Sequence, residues 1–464
     1  MTSLRLPGKP LLSALLLSGW WGAAVAQSPR DFSLNDAINF ATQQNINVKN
    51  TQLDALSAEA RISEIRGVAL PQVNVGGTVT YNAIIQKFIF PSGGFGAPAD
   101  STGNGGGGDD VTAIPFGVKY QGSVTASVNQ LIFDASYKIG LKAAATYREL
   151  AQKNIAASKI SVAEQVAKAY YGVLVSEERM KLLDLNISRV DTLLRETRAM
   201  NGQGFVEKID VDRLEVQLNN LKTERQNVKN LVDLSYNLLK FQMGLPINTP
   251  IQLTDQIEAY SQRDLERAAV LDSAFDYGQR IEFATLQTQI QLADLDYQSI
   301  GKKYFPTLTA AATYGHNNGR NSFGDFWTTQ WFNSAAISLN LNVPVFDGFQ
   351  KRYAAQQKKI AVDKARQSGE LLKQSIDLQI KQATVTLANN LQTLQNQKRN
   401  MDLAQEVVRV TRIKYKEGVG SNIEVLNAET SSREAQTNYF AALLDYMITK
   451  VDLDKALGKL YTGQ

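Results

Sequence analysis

The chain has 464 residues, no cysteine and one histidine, with 49 Lys and Arg against 45 Asp and Glu. Without cysteine there is neither a disulfide nor a zinc-thiolate site, and a lone His316 supports neither a His-rich metal site nor a catalytic triad. The near balance of charge gives no reason to invoke nucleic acid as a partner.

Residues 1–26 read as a secretory signal peptide. Arg5 and Lys9 supply the basic start, Leu11 to Leu17 the short apolar core, and Ala24-Val25-Ala26 a small-residue cleavage pattern, with the cut after Ala26. Gln27 follows the cut, where a lipid anchor would need Cys. No later run of about 18 apolar residues exists, so no transmembrane helix is expected; a β-barrel, whose signal is weaker, stays open.

The spacing predicts a helix over 33–69, opened by Ser33 with Asp36 and stopped before Pro71. In "PQVNVGGTVTYN" (71–82) the residues alternate, with Val73, Val75, Val79 and Tyr81 on one side and Gln72, Asn74, Thr78 and Thr80 on the other. The stretch 116–131 repeats the pattern, with Phe116, Val118, Tyr120, Val124, Ala126 and Val128 on one face. About eleven residues is the length of a tilted transmembrane strand. Between the two lies the glycine-rich stretch 92–108, read as a mobile loop. Helical periodicity returns from Ala135 to Met200, a proline-free rod of roughly 100 Å. A glycine-containing break at 201–204 leads to a second helix ending near Met243, since Pro246 and Pro250 cannot continue it.

The second half replays the first. A helix is predicted over 265–303, strands over 305–315 and 333–345, and a loop with Gly319, Gly324 and Trp327 between them. A long helix over 348–416, a break, and a last helix to Leu460 follow. Leu70-Pro71 matches Phe305-Pro306, and Ile132-Phe133-Asp134 matches Val345-Phe346-Asp347. Gly204, Ile209, Asp210, Val211 and Glu215 match Gly418, Ile423, Glu424, Val425 and Glu429. The layout is a signal peptide (1–26), a first repeat (27–244), a linker (245–264) and a second repeat (265–464).

The long helices carry a narrow apolar stripe, Ile376, Ile380, Ala383, Leu387, Leu391 and Leu394, continuing through Met401, Val408 and Tyr415. Such a stripe suits antiparallel coiled-coil packing with water on both sides of a thin wall, against the alternative of a solid helical bundle. The strands discriminate. Four cannot close a barrel, and an open edge in lipid leaves backbone groups unsatisfied. Closure then requires oligomers: two chains give eight strands, three give twelve, and only about twelve begin to leave a lumen. Tyr81, Tyr120, Tyr304, Phe305, Tyr314 and Trp331 near the strand ends fit interfacial girdles.

On this duplicated layout, on "FPTLTAAATYG" and "VPVFDGFQKR", and on "YKEGVGSNIEVLNAE" followed by "LGKL", the chain resembles the outer-membrane efflux protein family, the TolC-like exit ducts of Gram-negative bacteria. The resemblance covers essentially all of the chain after the signal peptide. It implies an all-α coiled-coil tunnel plus a transmembrane β-barrel in a homotrimer, twelve strands in outer-membrane lipid and twelve periplasmic helices. It also implies a duct of a tripartite efflux or type I secretion system. Its partners would be a periplasmic adaptor (membrane fusion) protein and an inner-membrane pump of RND or ABC type, with no cofactor, metal or enzymatic activity.

Each helix break then becomes a periplasmic hairpin tip that contacts the adaptor through Gly202, Gly204, Phe205 and Val206 in one copy and Gly418, Val419, Gly420 and Ser421 in the other. By the same resemblance Asp210 and Glu424, with Arg213 as donor, form an aperture gate. Asn427 is neutral where some members carry a second acid, so no doubled ring is expected. Read from the residues alone, Asp210 and Glu424 are acids near helix N-termini, stabilised by the dipole. An adhesin or phage receptor displaying the 83–115 loop and a passive porin are the alternatives, and the long rods argue against the porin. "GGFGAP" lacks the helix and Lys-Ser/Thr of a phosphate cradle. The absence of His and Met clusters argues against a dedicated soft-metal exporter.

Overall fold

The computed structural model describes residues 30–91, 111–257 and 275–461. The signal-peptide segment 1–26, the glycine-rich stretch 92–108, residues 258–264 of the expected linker and residues 265–274 of the expected helix lie outside the described residues. The chain runs β1 (Arg30–Phe32), α1 (Leu34–Gln44), α2 (Ile46–Val68), β2 (Gln72–Tyr81), β3 (Lys87–Pro91), β4 (Val111–Pro115), β5 (Tyr120–Phe133), α3 (Ala135–Gly202), α4 (Lys208–Met243) and β6 (Ile251–Leu253). From 275 it continues through α5 (Ile281–Lys302), β7 (Thr307–Arg320), α6 (Phe323–Thr328), β8 (Phe332–Asn342), α7 (Gln350–Lys416) and α8 (Asn422–Ala456).

The helix expected over 33–69 is two helices. The Ser33 hydroxyl accepts from the Asp36 N–H and caps α1. Asn45 then breaks the run: its side-chain oxygen accepts from the Asn47 N–H at 2.8 Å, and its amide nitrogen donates to the Gln242 carbonyl at 2.7 Å. That contact seats the end of α4 on the α1–α2 junction. Gly244 closes α4 in the left-handed region (φ 75°), and a Cβ there would lie 3.0 Å from the Gln44 carbonyl oxygen. Of the helix expected over 265–303, the described residues form a 3-10 turn at Tyr277–Gln279 and then α5 from Ile281.

Helices α3 (68 residues) and α7 (67 residues) are each about 100 Å long at ~1.5 Å per residue. The buried positions of α7 are Val362, Gly369 and Ile376, then Leu387, Met401, Val408 and Tyr415. Within each group the spacing is seven or a multiple of seven. One step of eleven between Ile376 and Leu387 is a stutter in a coiled-coil seam. Helix α7 packs along α8 and α3 along α4, giving two antiparallel hairpins. The core is thickest at mid-length, where Val166, Tyr170 and Val173 of α3 meet Leu239 and Met243 of α4 and Phe440, Leu443 and Met447 of α8. Here the buried Tyr170 hydroxyl stands 3.0 Å from both the Phe32 carbonyl and the Asp255 carboxylate, and β1 pairs in parallel with β6. Lys168 and Lys455 both donate to Glu164, tying α3 to α8. Burial pushes the Glu164 carboxyl up, but the two lysines outweigh it and hold the pKa below the usual value.

At the far end of the hairpins the four-stranded sheet has the order β2-β5-β7-β8, all antiparallel. Register assigns every residue to a face. One face carries Val73, Val75 and Val79 of β2, Val124, Ala126 and Val128 of β5, Leu308, Ala310 and Ala312 of β7, and Ile337, Leu339 and Leu341 of β8. The other carries Asn74, Thr78 and Thr80; Ser123, Thr125 and Ser127; Thr309, Thr313 and Asn317; and Ser334, Ser338 and Asn340. Phe116 and Val118, expected within the second strand, lie outside the ladder. The Phe116 N–H donates to Gln86, closing the β3–β4 hairpin that sequence reading missed, and Gly117 (φ 135°) turns the chain before pairing starts at Tyr120.

The stretch read as a loop around Gly319 and Trp327 is instead a strand extension to Arg320 followed by α6. Fully buried Phe326 sits on Gly122, with ring centroids 5.0 Å from Trp327 and 5.5 Å from Trp331. The Asn318 amide donates to the Phe326 carbonyl at 2.6 Å. A Cβ on Gly122 would lie 2.4 Å from the Phe326 ring. Gly122→Val should therefore lift α6, at a cost of about 1–3 kcal/mol. Because Trp327 and Trp331 are the only tryptophans beyond residue 21, the displacement reads out as a red shift in intrinsic emission. Gly77→Ala, whose Cβ meets only ordinary contacts at 3.8 Å, should leave the spectrum unchanged.

Candidate functional site at the hairpin tips

The tips lie opposite the sheet, where α3 turns into α4 and α7 into α8. Gly204 (φ 80°) and Gly418 (φ 74°) occupy the left-handed region, which excludes most side chains. Gly420 is constrained differently: a Cβ there would lie 3.0 Å from the Lys414 Cβ and 3.1 Å from the Tyr415 nitrogen. Gly202 ends α3 with open space around it. The Asn201 amide donates to the Val206 carbonyl at 2.7 Å, and the Ser421 hydroxyl caps α8 by accepting from the Glu424 N–H at 3.3 Å. Phe205 is 79% exposed and Val419 77%, and Val206 is half-buried. Ile209 and Ile423, equivalent in the two copies, are also exposed. Each tip thus presents apolar side chains to water.

Asn422 joins the two tips. Its side-chain amide donates to the Asp210 carbonyl at 2.9 Å and to the Asp210 carboxylate at 3.2 Å, fastening the start of α8 onto the first turn of α4. Arg213, one turn along α4, stands 3.5 Å from the same carboxylate. Glu424 lies in the first turn of α8 with its side chain exposed. The structure therefore brings Asp210, Arg213 and Asn422 together and leaves the Glu424 carboxylate facing solvent. Behind them the buried hydroxyls of Thr197 and Tyr415 meet at 3.2 Å and Lys416 pairs with Glu196 at 2.9 Å, tying α3 to α7. Arg198 pairs with Glu215 at 2.7 Å, tying α3 to α4. Sequence reading missed Asn422 and Thr197. Tyr415 was visible as the last member of the seven-residue stripe, without a role.

Two turns into α8, Glu429 is buried between Arg189 of α3 and Arg412 of α7. Arg189 bonds to the Asn186 side chain, the Asn186 amide donates to Gln436 at 2.8 Å, and Arg412 donates to the Arg189 carbonyl at 3.4 Å. One Glu429 oxygen, the Arg189 Nε, the Ser432 hydroxyl and the Gln436 amide nitrogen find no partner. The signal in the sequence was an acid on the stripe Val425, Ala428, Ser432. Burial pushes the Glu429 carboxyl above the usual range, and attraction to Arg189 and Arg412 only partly opposes it. A carboxyl whose folded pKa is raised binds protons more tightly in the folded state. Its penalty is complete above the folded pKa and vanishes as pH falls below the unfolded value. Glu429→Gln should therefore raise the unfolding temperature at neutral and alkaline pH, by an amount on the order of 1–3 kcal/mol in stability. The gain should shrink as the detergent-extracted protein is acidified in thermal melts.

Among the described residues no group of His, Asp and Glu is arranged to hold a metal ion, and no helix is long and apolar enough to cross a membrane. Compared with known proteins, residues 278–459 match the family described as outer membrane efflux protein. The outer membrane protein TolC of Vibrio cholerae is 21% identical over 339 residues, covering 73% of this chain and 77% of that protein. Among solved structures, the open state of the Neisseria gonorrhoeae MtrE outer membrane channel superposes with a TM-score of 0.67 at 16% identity, over 92% of this chain and 88% of that one. The Campylobacter jejuni CmeC outer membrane channel superposes with a TM-score of 0.67 at 14% identity, over 92% and 86%. These likenesses establish the fold, and with the duplicated hairpin-and-strand layout and the family match over 278–459 they make this chain similar to the TolC-like outer membrane efflux proteins.

Proposed function

We propose that three copies of this chain form an outer-membrane exit duct, through which an inner-membrane pump of RND or ABC type and a periplasmic adaptor pass cargo out of the cell by efflux or type I secretion. The observation that carries the reading is the two-faced sheet at one end of hairpins about 100 Å long. Its apolar face suits lipid, its polar face suits a water-filled lumen, and its free edges on β2 and β8 need neighbouring copies. Residues 1–26 serve as the export signal, and repeats 27–244 and 265–464, joined by 245–264, each contribute two strands and one hairpin. The exposed apolar side chains of Phe205 and Val419, held by the turns at Gly202–Val206 and Gly418–Ser421, form the adaptor-docking surface. Asp210 and Glu424, with Arg213, ring the aperture.

Phe205→Asp and Val419→Asp place a charge in that contact, where burying it without a partner is costly. In cells lacking the wild-type copy, each should abolish most export while the detergent-extracted protein keeps the mass of three protomers. Normal export by both variants would remove the tips as the docking surface, and a monomeric or dimeric mass would sink the architecture.

At the aperture each acid is repeated three times in the trimer, so like charges repel by about 1 kcal/mol or more per close pair at intermediate dielectric. A ring of this kind favours cations and is plugged by divalent ions. The double variant Asp210→Asn with Glu424→Gln should weaken both cation selectivity and divalent block in planar-bilayer recordings. Unchanged selectivity and block would reduce the two acids to first-turn acids that favour the helix dipole.

A further inference from the structure

The polar face of the sheet carries no charge. Across the ladder from Gln72 to Tyr81, Tyr120 to Leu131, Thr307 to Gly319 and Phe332 to Asn342, the parity that holds Asn74, Ser127, Thr313 and Asn340 has neither an acid nor a base. Its side chains are hydroxyls, carboxamides, alanine, glycine and, at the two ends, Leu131 and Phe332. Mere exposure to water does not explain this, because charged residues make up 20% of the chain and the exposed faces of the long helices carry many of them. The basic side chains of the ladder, His316 and Arg320, stand on the opposite, apolar parity. Arg320 is held there by the Gly319 carbonyl and the Thr329 hydroxyl, each at 2.8 Å.

We propose that the barrel section is a charge-free conduit that passes cationic, anionic and neutral cargo alike and leaves charge discrimination to the rest of the duct. The inference rests on the duct reading above. Channels that sort ions do so with rings of acidic or basic side chains, or with carbonyl cages, at a constriction. A fixed wall charge acts over a Debye length of about 8 Å at physiological salt, concentrating one sign of solute against the wall and holding it there. Hydroxyl and carboxamide groups exchange hydrogen bonds with water and with solute on nearly equal terms, so a passing molecule is neither repelled nor trapped. Ser127 marks the middle of this wall: it lies opposite Asn74 on β2 and Thr313 on β7, which lies opposite Ala336 on β8.

The chain has no cysteine, so a single Ser127→Cys or Thr313→Cys reports the local potential. The purified trimer in lipid vesicles is treated with a cationic and with an anionic water-soluble methanethiosulfonate, and each rate is divided by that of 2-mercaptoethanol. The normalised cation-to-anion ratio is expected within about threefold of one at both positions. A ratio outside that range means that the wall carries a potential and overturns the proposal, while the duct reading stands. Val128→Cys, on the apolar face, should stay unmodified. If Ser127→Cys is inert, with or without reaction at Val128→Cys, the face does not line an aqueous pore and the duct reading fails with the proposal.

Discussion

A backbone group in lipid has no water to bond with, so the edges of a membrane sheet must be matched by another strand or cost several kcal/mol each. In one protomer β5 and β7 are paired on both sides, whereas β2 and β8 each present a free edge. The two edges are of similar length, ten residues and eleven, and each strand runs directly into a helix or out of one. Closing the ring through neighbouring copies therefore also draws the helices into a ring. In the proposed duct, the barrel and the tunnel are one consequence of the same unmatched hydrogen bonds.

The helices transmit that arrangement over a long distance with little core. The seam of α7 buries seven of its 67 residues, so most of its surface remains available to water or to neighbouring copies. Strength is concentrated in two places. At mid-length Tyr170, β1, β6 and the Glu164–Lys455 tie fasten both halves of the chain together. Near the tips Leu193, Leu194, Leu214 and Val425 pack beneath the polar ties Thr197–Tyr415 and Asn422–Asp210. Exposed surface ion pairs, such as Arg61–Glu64 on α2 and Arg409–Glu406 on α7, add little to this. The buried, incompletely matched group around Glu429 marks where one hairpin meets the other at a cost in stability.

Much of this was legible in the residues because it is local. The alternation from Gln72 to Tyr81 follows from the two-residue repeat of a strand, and the stripe through Ile376, Leu387 and Met401 from the helical repeat. The tips were legible because Gly204 and Gly418 interrupt those repeats. The misreadings share a cause as well. Asn45 breaks a helix whose periodicity runs straight through it, because its amide finds the carbonyl of Gln242, distant in the chain. Phe116 and Val118 fit the alternation yet leave the ladder, because Gly117 turns the backbone and Gln86 takes the Phe116 N–H. The α6 segment reads as a loop because its stability comes from Gly122 on another strand, which leaves room for Phe326.

The sequence by itself determined the duplication, the length of the rods, the four strands and the need for more than one copy, since each rests on periodicity and on a count of edges. Only the tertiary structure decided which strand lies beside which, and with that which residues share a face. It also decided that Asp210 is held by Asn422 while Glu424 faces water. The physical reason is that pairing register and side-chain hydrogen bonds between distant segments depend on where the backbones meet in space. That meeting is set by the packing of whole elements, which a local repeat does not encode.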